Sequence, residues 1–202
     1  MRTVAPAVII LIRHGQSTTN ELGLLVGRSD PPLTEQGREQ ARRLIPHLLD
    51  VVEVWASPLD RALTTARLAL PRLEPVIKES FIEVDYGSLD GRSLASVTDE
   101  QWRAFESDHD RPLLDGESLN AVDERVHREL TALHADAASL LHSPDRHLAI
   151  VSHVSPIKSA VTWALGVHGS AAWRMRIDNG SMTILATRRT TPSLIRANVT
   201  PL

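Results

Sequence analysis

Apolar and polar positions divide the chain into alternating strand and helix segments. Ala7 to Ile12 is an unbroken apolar run rich in β-branched residues. A run without alternation suits a central parallel strand covered on both faces. Gly23, Gly27, Pro31 and Pro32 then mark a loop. Thr34 predicts the N-cap of a helix running to about Leu49, with Pro46 ending or bending its last turn. Val51 to Ala56 reads as a second buried strand. Ser57-Pro58 predicts the N-cap and first residue of a helix reaching about Leu70. Residues 76–84 read as a third extended stretch. A polar, helical region begins at about Leu94 and carries Trp102 and Phe105. Asp115-Gly116-Glu117-Ser118 leads into a long helix to about Leu141. Its Leu119, Val122, Val126, Leu130, Leu133, Ala137 and Leu140 keep helical spacing of three and four. His127 and His134 fall beside that stripe and read as flanking or solvent-facing. His147 to Val151 predicts another buried strand, followed by a helix that contains Trp163 and ends near Gly166. Met182 to Thr187 is expected to be the last strand, with the tail from Arg188 packing on the surface.

This alternation predicts a single α/β domain over residues 1–202. The expected architecture is a three-layer α/β/α sandwich around a mostly parallel central sheet. Residues of about 88–145 would form a helical cap insertion. The length of 202 residues is sufficient for one well-buried core.

Composition narrows the function classes. Hydrophobic residues at 42% and charged residues at 23% are ordinary for a globular domain. A formal charge of −3 gives no footing for nucleic acid or an anionic membrane as partner. The absence of cysteine excludes disulfides, thiolate metal sites and every cysteine nucleophile. Arg13 and His14 follow the first apolar run with no small-residue cleavage site, so it reads as a core strand and not as an export signal. No stretch approaches membrane-spanning length. A cytoplasmic protein is expected, and a homodimer is compatible with the sequence.

Four strand exits carry suggestive polar groups. Arg13-His14 ends the first strand. Arg61 lies in the first helical turn after the second. Glu83 stands near the end of the third stretch, and His153 follows the late strand. Parallel strands share a carboxyl edge, where α/β proteins bind ligands, so these residues can meet in one pocket. Each alone is equally a solvated polar residue. Together they give two histidines, two arginines and a carboxylic acid.

The set resembles the histidine phosphatase superfamily, in its phosphoglycerate mutase-like branch. Arg13-His14-Gly15-Gln16-Ser17 with Asn20 is similar to the family's opening signature. Leu33-Thr34-Glu35-Gln36-Gly37 and the segment from Ser57-Pro58 through Arg61 to Ala66 follow. Glu83 with Tyr86-Gly87 and Gly91 looks like the acid loop, and Gly116-Glu117-Ser118 and Val151-Ser152-His153 complete the order. The resemblance implies that His14 is a nucleophile forming a phosphohistidine, its other ring nitrogen donating to a backbone carbonyl. It implies that Arg13 and Arg61 hold phosphate oxygens, with His153 supporting the charge on the transferred group. It makes Glu83 the general acid and base, a role that asks for a carboxyl kept protonated by burial and bound phosphate. Asp85 is the rival. Gln16 and Asn20 would add neutral donors, and Gly27, Tyr86 and Val154 would line the substrate. No metal and no cofactor are implied, and the expected partner is a small phosphorylated metabolite.

Two departures matter. Val154 stands where the family often has glycine, keeping a backbone donor but narrowing the mouth, and Pro156 follows. Val26 precedes Gly27 where mutases commonly carry threonine, which removes a hydroxyl donor for a substrate carboxylate. The Val26 departure, with a helical insertion and tail shorter than in typical mutases, tilts the expectation towards a metal-independent phosphomonoesterase and away from a phosphoglycerate mutase. A non-catalytic binding protein on the same fold is a third reading, opposed by retention of all five groups. A Ser-His-Asp hydrolase lacks its Gly-x-Ser-x-Gly elbow, and a His-Glu-x-x-His metallohydrolase motif is missing.

Overall fold

The computed structural model describes residues 7–112, 114–135, 146–187 and 191–201. The apolar runs form the expected strands: β1 (Val8–Arg13), β2 (Val51–Ala56) and β4 (His147–Ser152), with a two-residue β3 (Val76–Ile77). β5 (Met182–Ala186) and β6 (Ser193–Val199) complete a six-stranded sheet of order β3-β2-β4-β1-β5-β6. The pairs β3–β2, β2–β4 and β4–β1 are parallel, whereas the pairs β1–β5 and β5–β6 are antiparallel, so β5 alone opposes the other strands.

Strand periodicity builds two cores. Ile9, Leu11, Leu148 and Ile150 point to one face of the sheet. They pack there with Val122, Val126 and Leu130 of α5 (Leu119–Ala135) and Ile157, Ala160 and Val161 of α6 (Val154–Leu165). Val8, Ile10, Ile12, Ala149 and Val151 point to the other face, against Ala62, Ala66 and Ala69 of α3 (Asp60–Ala69) and Leu44. Alternation of side chains along a strand makes both faces apolar, which is why these runs show no polar break. The result is a three-layer α/β/α sandwich around a mostly parallel sheet. Among the described residues no helix is long and apolar enough to cross a membrane.

The region read as a cap has two parts. α4 (Asp99–Ser107) contributes Phe105 to a small cluster with Leu25, Leu89 and Val97. The buried face of α5 belongs instead to the main core. The end expected for that helix near Leu141 lies outside the described residues.

Several local expectations change. The helix opened by Thr34, α2 (Glu35–Arg43), ends before Leu49; Ile45–His47 is a 3-10 turn containing Pro46, which lacks the N–H needed to continue. Residues 76–84 are not a continuous extended stretch, because a 3-10 turn at Glu79–Phe81 interrupts it. The chain also pairs beyond Thr187: β6 is an edge strand on β5. Its side chains are mostly exposed or half-buried, so backbone pairing forms it without an apolar pattern to announce it. A short helix, α1 (Thr18–Glu21), caps on Ser17 and was not foreseen.

Candidate active site

The carboxyl edge of β1, β4 and β2 assembles the site. Arg13 is the register partner of Ser152, so the next residues, His14 and His153, emerge side by side. Their ring centroids are 5.0 Å apart. His14 N–H donates to Ser152 O at 3.0 Å, and Ser57 N–H donates to Val151 O at 3.0 Å. These bonds extend the ladder one residue past the strands, so backbone pairing locates both histidines and Ser57.

His14 is only 3% exposed. Its Nδ1 lies 2.7 Å from Gly15 O, and its Nε2 lies 3.3 Å from Arg61 Nε. A carbonyl only accepts and a guanidinium only donates, so Nδ1 carries the proton and Nε2 presents its lone pair. Burial first, then the charges of Arg61 and Arg13, hold the His14 pKa well below its ordinary value. His14 is therefore a neutral imidazole whose Nε2 lone pair accepts from Arg61 Nε–H. Gly15 must be glycine, since a Cβ there would come within 2.1 Å of Gly37 O.

Arg61 is fully buried in the first turn of α3. Besides His14, it donates from Nη1 to Ser29 O at 2.6 Å and from Nη2 to Gly27 O at 2.7 Å. Asp30 supplies a carboxylate 3.4 Å from Nη1. The same carboxylate accepts from the backbone N–H groups of Asp60 and Arg61 and so caps α3. Ser57 is therefore not the N-cap expected, and Pro58 is not the first helical residue; α3 begins at Asp60. The Ser57 hydroxyl is 2.7 Å from His153 Nε2, which leaves it committed to the site. Arg13 donates from Nη1 to Ile177 O at 2.7 Å, while its buried Nε has no partner among the described residues. Burial lowers the pKa of both arginines, opposed chiefly by the charge of Glu83. His153 is fully buried, and burial, then Arg61 and His14, hold its pKa well below the ordinary value.

Glu83 is 4% exposed, whereas Asp85 is half-buried and turns its Oδ1 to accept from Gly87 N–H at 2.7 Å. The Glu83 carboxylate accepts from Val84 N–H and Ser155 N–H on Oε1 and from Val154 N–H on Oε2, at 2.9, 3.2 and 3.1 Å. The latter two are N–H groups without intrahelical partners in the first turn of α6, where partial positive charge favours the carboxylate form. The loop bearing Glu83 is tied from outside. Ser152 Oγ donates to Phe81 O at 2.6 Å, and Arg125 Nη1 donates to Ser80 O at 2.7 Å. Glu117 accepts from Asp85 N–H at 3.3 Å while bridging Arg28 and Arg125.

The remaining expected contacts divide. Tyr86 and Val154 face a cavity beside Glu83. Burial and then the charge of Glu83 push the Tyr86 pKa up, so its hydroxyl stays protonated. Gln16 is oriented by Thr34 Oγ1, which donates to its Oε1 at 2.9 Å. Asn20 accepts on Oδ1 from Ser17 N–H and Asn179 Nδ2, so its carbonyl supports the His14 loop. Gly27 offers its carbonyl to Arg61, and a Cβ there would lie 2.8 Å from Val84 O. Sequence reasoning missed Ser29, Asp30 and Asn179, which hold Arg61 and the His14 backbone. Ser57 was visible at a strand exit but carried a second plausible role as a cap.

The geometry joins an imidazole protonated on Nδ1, two guanidinium groups, a second imidazole and a carboxyl group. Comparisons with known proteins show which family the chain belongs to. The family model of the histidine phosphatase superfamily (branch 1) matches residues 9–200. Phosphoserine phosphatase 1 of Hydrogenobacter thermophilus is 31% identical over 202 residues, covering 95% of this chain and 92% of that protein. A protein named Probable phosphoglycerate mutase GpmB from Enterobacter sp. (strain 638) is 32% identical, covering 87% of this chain and 82% of that protein. The crystal structure of Entamoeba histolytica phosphoserine phosphatase in complex with 3-phosphoglyceric acid superposes with a TM-score of 0.83 at 26% identity, covering 96% and 98% of the two chains.

Proposed function

Because this chain belongs to the histidine phosphatase superfamily, we propose that it is a metal-independent phosphomonoesterase acting through a phosphohistidine on His14, with Glu83 as general acid and base. The observation that carries the reading is the tautomer of His14: Nδ1 donates to Gly15 O, which leaves the Nε2 lone pair facing Arg61.

In the first step His14 Nε2 attacks phosphorus and the bond to the ester oxygen breaks. Glu83, carrying a proton, gives it to that departing oxygen, so a neutral alcohol leaves. Arg61 Nε–H must leave Nε2 as the N–P bond forms and is then free to donate to a phosphoryl oxygen. Arg13 and Arg61 offset the charge of the transferred group, and His153 supports it. In the second step the Glu83 carboxylate takes a proton from water as the water oxygen attacks phosphorus. The N–P bond breaks, its electron pair returns to Nε2, and phosphate departs.

The substrate class we infer is a small phosphorylated metabolite, and the setting cytoplasmic. Support for the substrate comes from the small phosphorylated molecules named for the relatives and their complexes. Turnover of p-nitrophenyl phosphate by the wild type and by His14→Ala, at pH 5 to 7 with EDTA present, tests the reading. Phosphate release in EDTA by the wild type alone is expected. Undiminished release by His14→Ala, or complete loss in EDTA, would refute it. Release of an isomerised phosphoglycerate in place of phosphate would favour the mutase reading.

A further inference from the structure

Glu83 protonates the oxygen that leaves, so the organic part of the ester must occupy the space beside Glu83. A cavity adjoins that space, with Tyr86, Val154 and Ser155 in its lining. Val154 and Ser155 are the residues whose N–H groups hold the Glu83 carboxylate. Lys158 is four residues beyond Val154 and three beyond Ser155, so it stands on the same face of α6. Phe105, Leu119, Val122 and Trp173 form an apolar wall from α4, α5 and the turn Gly169–Arg174.

Two polar groups in this wall lack partners. Lys158 Nζ lies 5.5 Å from the Trp173 ring centroid and has no carboxylate within 4.0 Å among the described residues. His109 is 7% exposed, and neither of its ring nitrogens has a hydrogen-bond partner there. Asp123 is the carboxylate in the lining, and its Oδ1 has His127 Nε2 3.8 Å away. Burial lowers the Lys158 pKa, with Glu83 and Glu106 the negative charges that oppose the shift.

Building on the hydrolase reading, we propose that this cavity receives the alcohol portion of the ester, and that Lys158 and His109 select an alcohol bearing a carboxylate on an apolar body. The carboxylate pairs with the Lys158 ammonium and accepts from the His109 ring N–H. The apolar body packs between Phe105, Val122 and Trp173.

Binding in a background that cannot turn over separates this proposal from the hydrolase reading. Calorimetry on His14→Ala compares phenyl phosphate with its 2-, 3- and 4-carboxyphenyl analogues. At least one carboxylated isomer is expected to bind about tenfold more tightly, and Lys158→Met to bring the ratio near one. Lys158→Arg should restore part of the preference, and Asp123→Asn should enlarge it. Lys158→Gln serves if the methionine variant does not fold. Equal affinities for all four esters, no binding of any, or a preference that survives in Lys158→Met would overturn the proposal. Wild-type turnover of phenyl phosphate, measured alongside, reports on the hydrolase reading alone.

Discussion

The two sides of the site are built differently. On the phosphate side, His14 and His153 are the residues that follow adjacent parallel strands, positioned by sheet hydrogen bonds. On the leaving-group side, Glu83 sits on a loop with no strand beneath it, held by Ser152, Arg125 and Glu117 from three separate segments. The phosphate side therefore inherits the rigidity of the core. The leaving-group side combines those polar ties with burial of Phe81 and Val84 in the main core. In the proposed reaction the phosphoryl group is common to every ester whereas the alcohol differs, and the loop bearing Glu83 is the side that would meet the alcohol.

Breaking the phosphate side should have the larger effect. Arg61→Lys replaces a fork that reaches His14, Ser29 O and Gly27 O with a single point charge. A fall in kcat/KM of about 10² to 10³ is expected for every ester, aryl or alkyl. A loss restricted to alkyl esters would move Arg61 to the other side. Glu83→Gln should act selectively: about 10²-fold or more on alkyl phosphates, and much less on p-nitrophenyl phosphate, whose leaving group needs little protonation. Equal losses on both would remove Glu83 from its acid role and return attention to Asp85.

Loosening a tie should cost less. Burial pushes the Glu117 pKa up, but the hydrogen bond and charge of Arg125 outweigh it and leave it below the ordinary carboxylate range. Glu117→Gln keeps the shape and removes the charge that joins Arg28, Arg125 and Asp85 N–H. About a tenfold drop in kcat on alkyl phosphates is expected, with phosphoenzyme formation from p-nitrophenyl phosphate nearly intact. A uniform loss on both substrates would mean that the tie supports the whole site.

The smallest effect is read by pH and concerns the phosphate side alone. The pKa values of His14 and His153 are lowered on folding, so the unfolded chain binds protons that the native protein refuses. The stabilisation is complete above the unfolded histidine value of about 6.5 and declines as pH falls below it. Each histidine should steepen the acid-side stability slope by up to about 1.4 kcal/mol per pH unit. Denaturant unfolding of wild type and His153→Phe between pH 7 and 5 measures it. Identical slopes would contradict a neutral, buried His153.

The same contrast explains what the sequence disclosed. Arg13-His14 and Ser152-His153 were legible because each follows an apolar run, and the end of a parallel strand has a known place in the fold. The runs themselves were legible because both faces are covered. Glu83 was found by motif, while its setting differs from the expectation: the Glu79–Phe81 turn interrupts the extended stretch read over residues 76–84. Asp30 caps α3 from a loop thirty residues upstream of Asp60, and no local pattern announces such a cap. Ser57 in turn was assigned to the helix because capping is the commoner use of a serine before proline. β6 was missed because an edge strand needs backbone partners more than apolar side chains. His109 and Lys158 carry no motif and acquire meaning only from the wall they share.

Trapping the enzyme during turnover tests the central claim most directly. Wild-type protein would be mixed with a ³²P-labelled ester, quenched in alkaline denaturant within one turnover, and the labelled peptide mapped. The account predicts one alkali-stable, acid-labile phosphoryl group on Nε2 of His14. Label on another residue, or turnover of the ester with no labelled protein at any time, would contradict it.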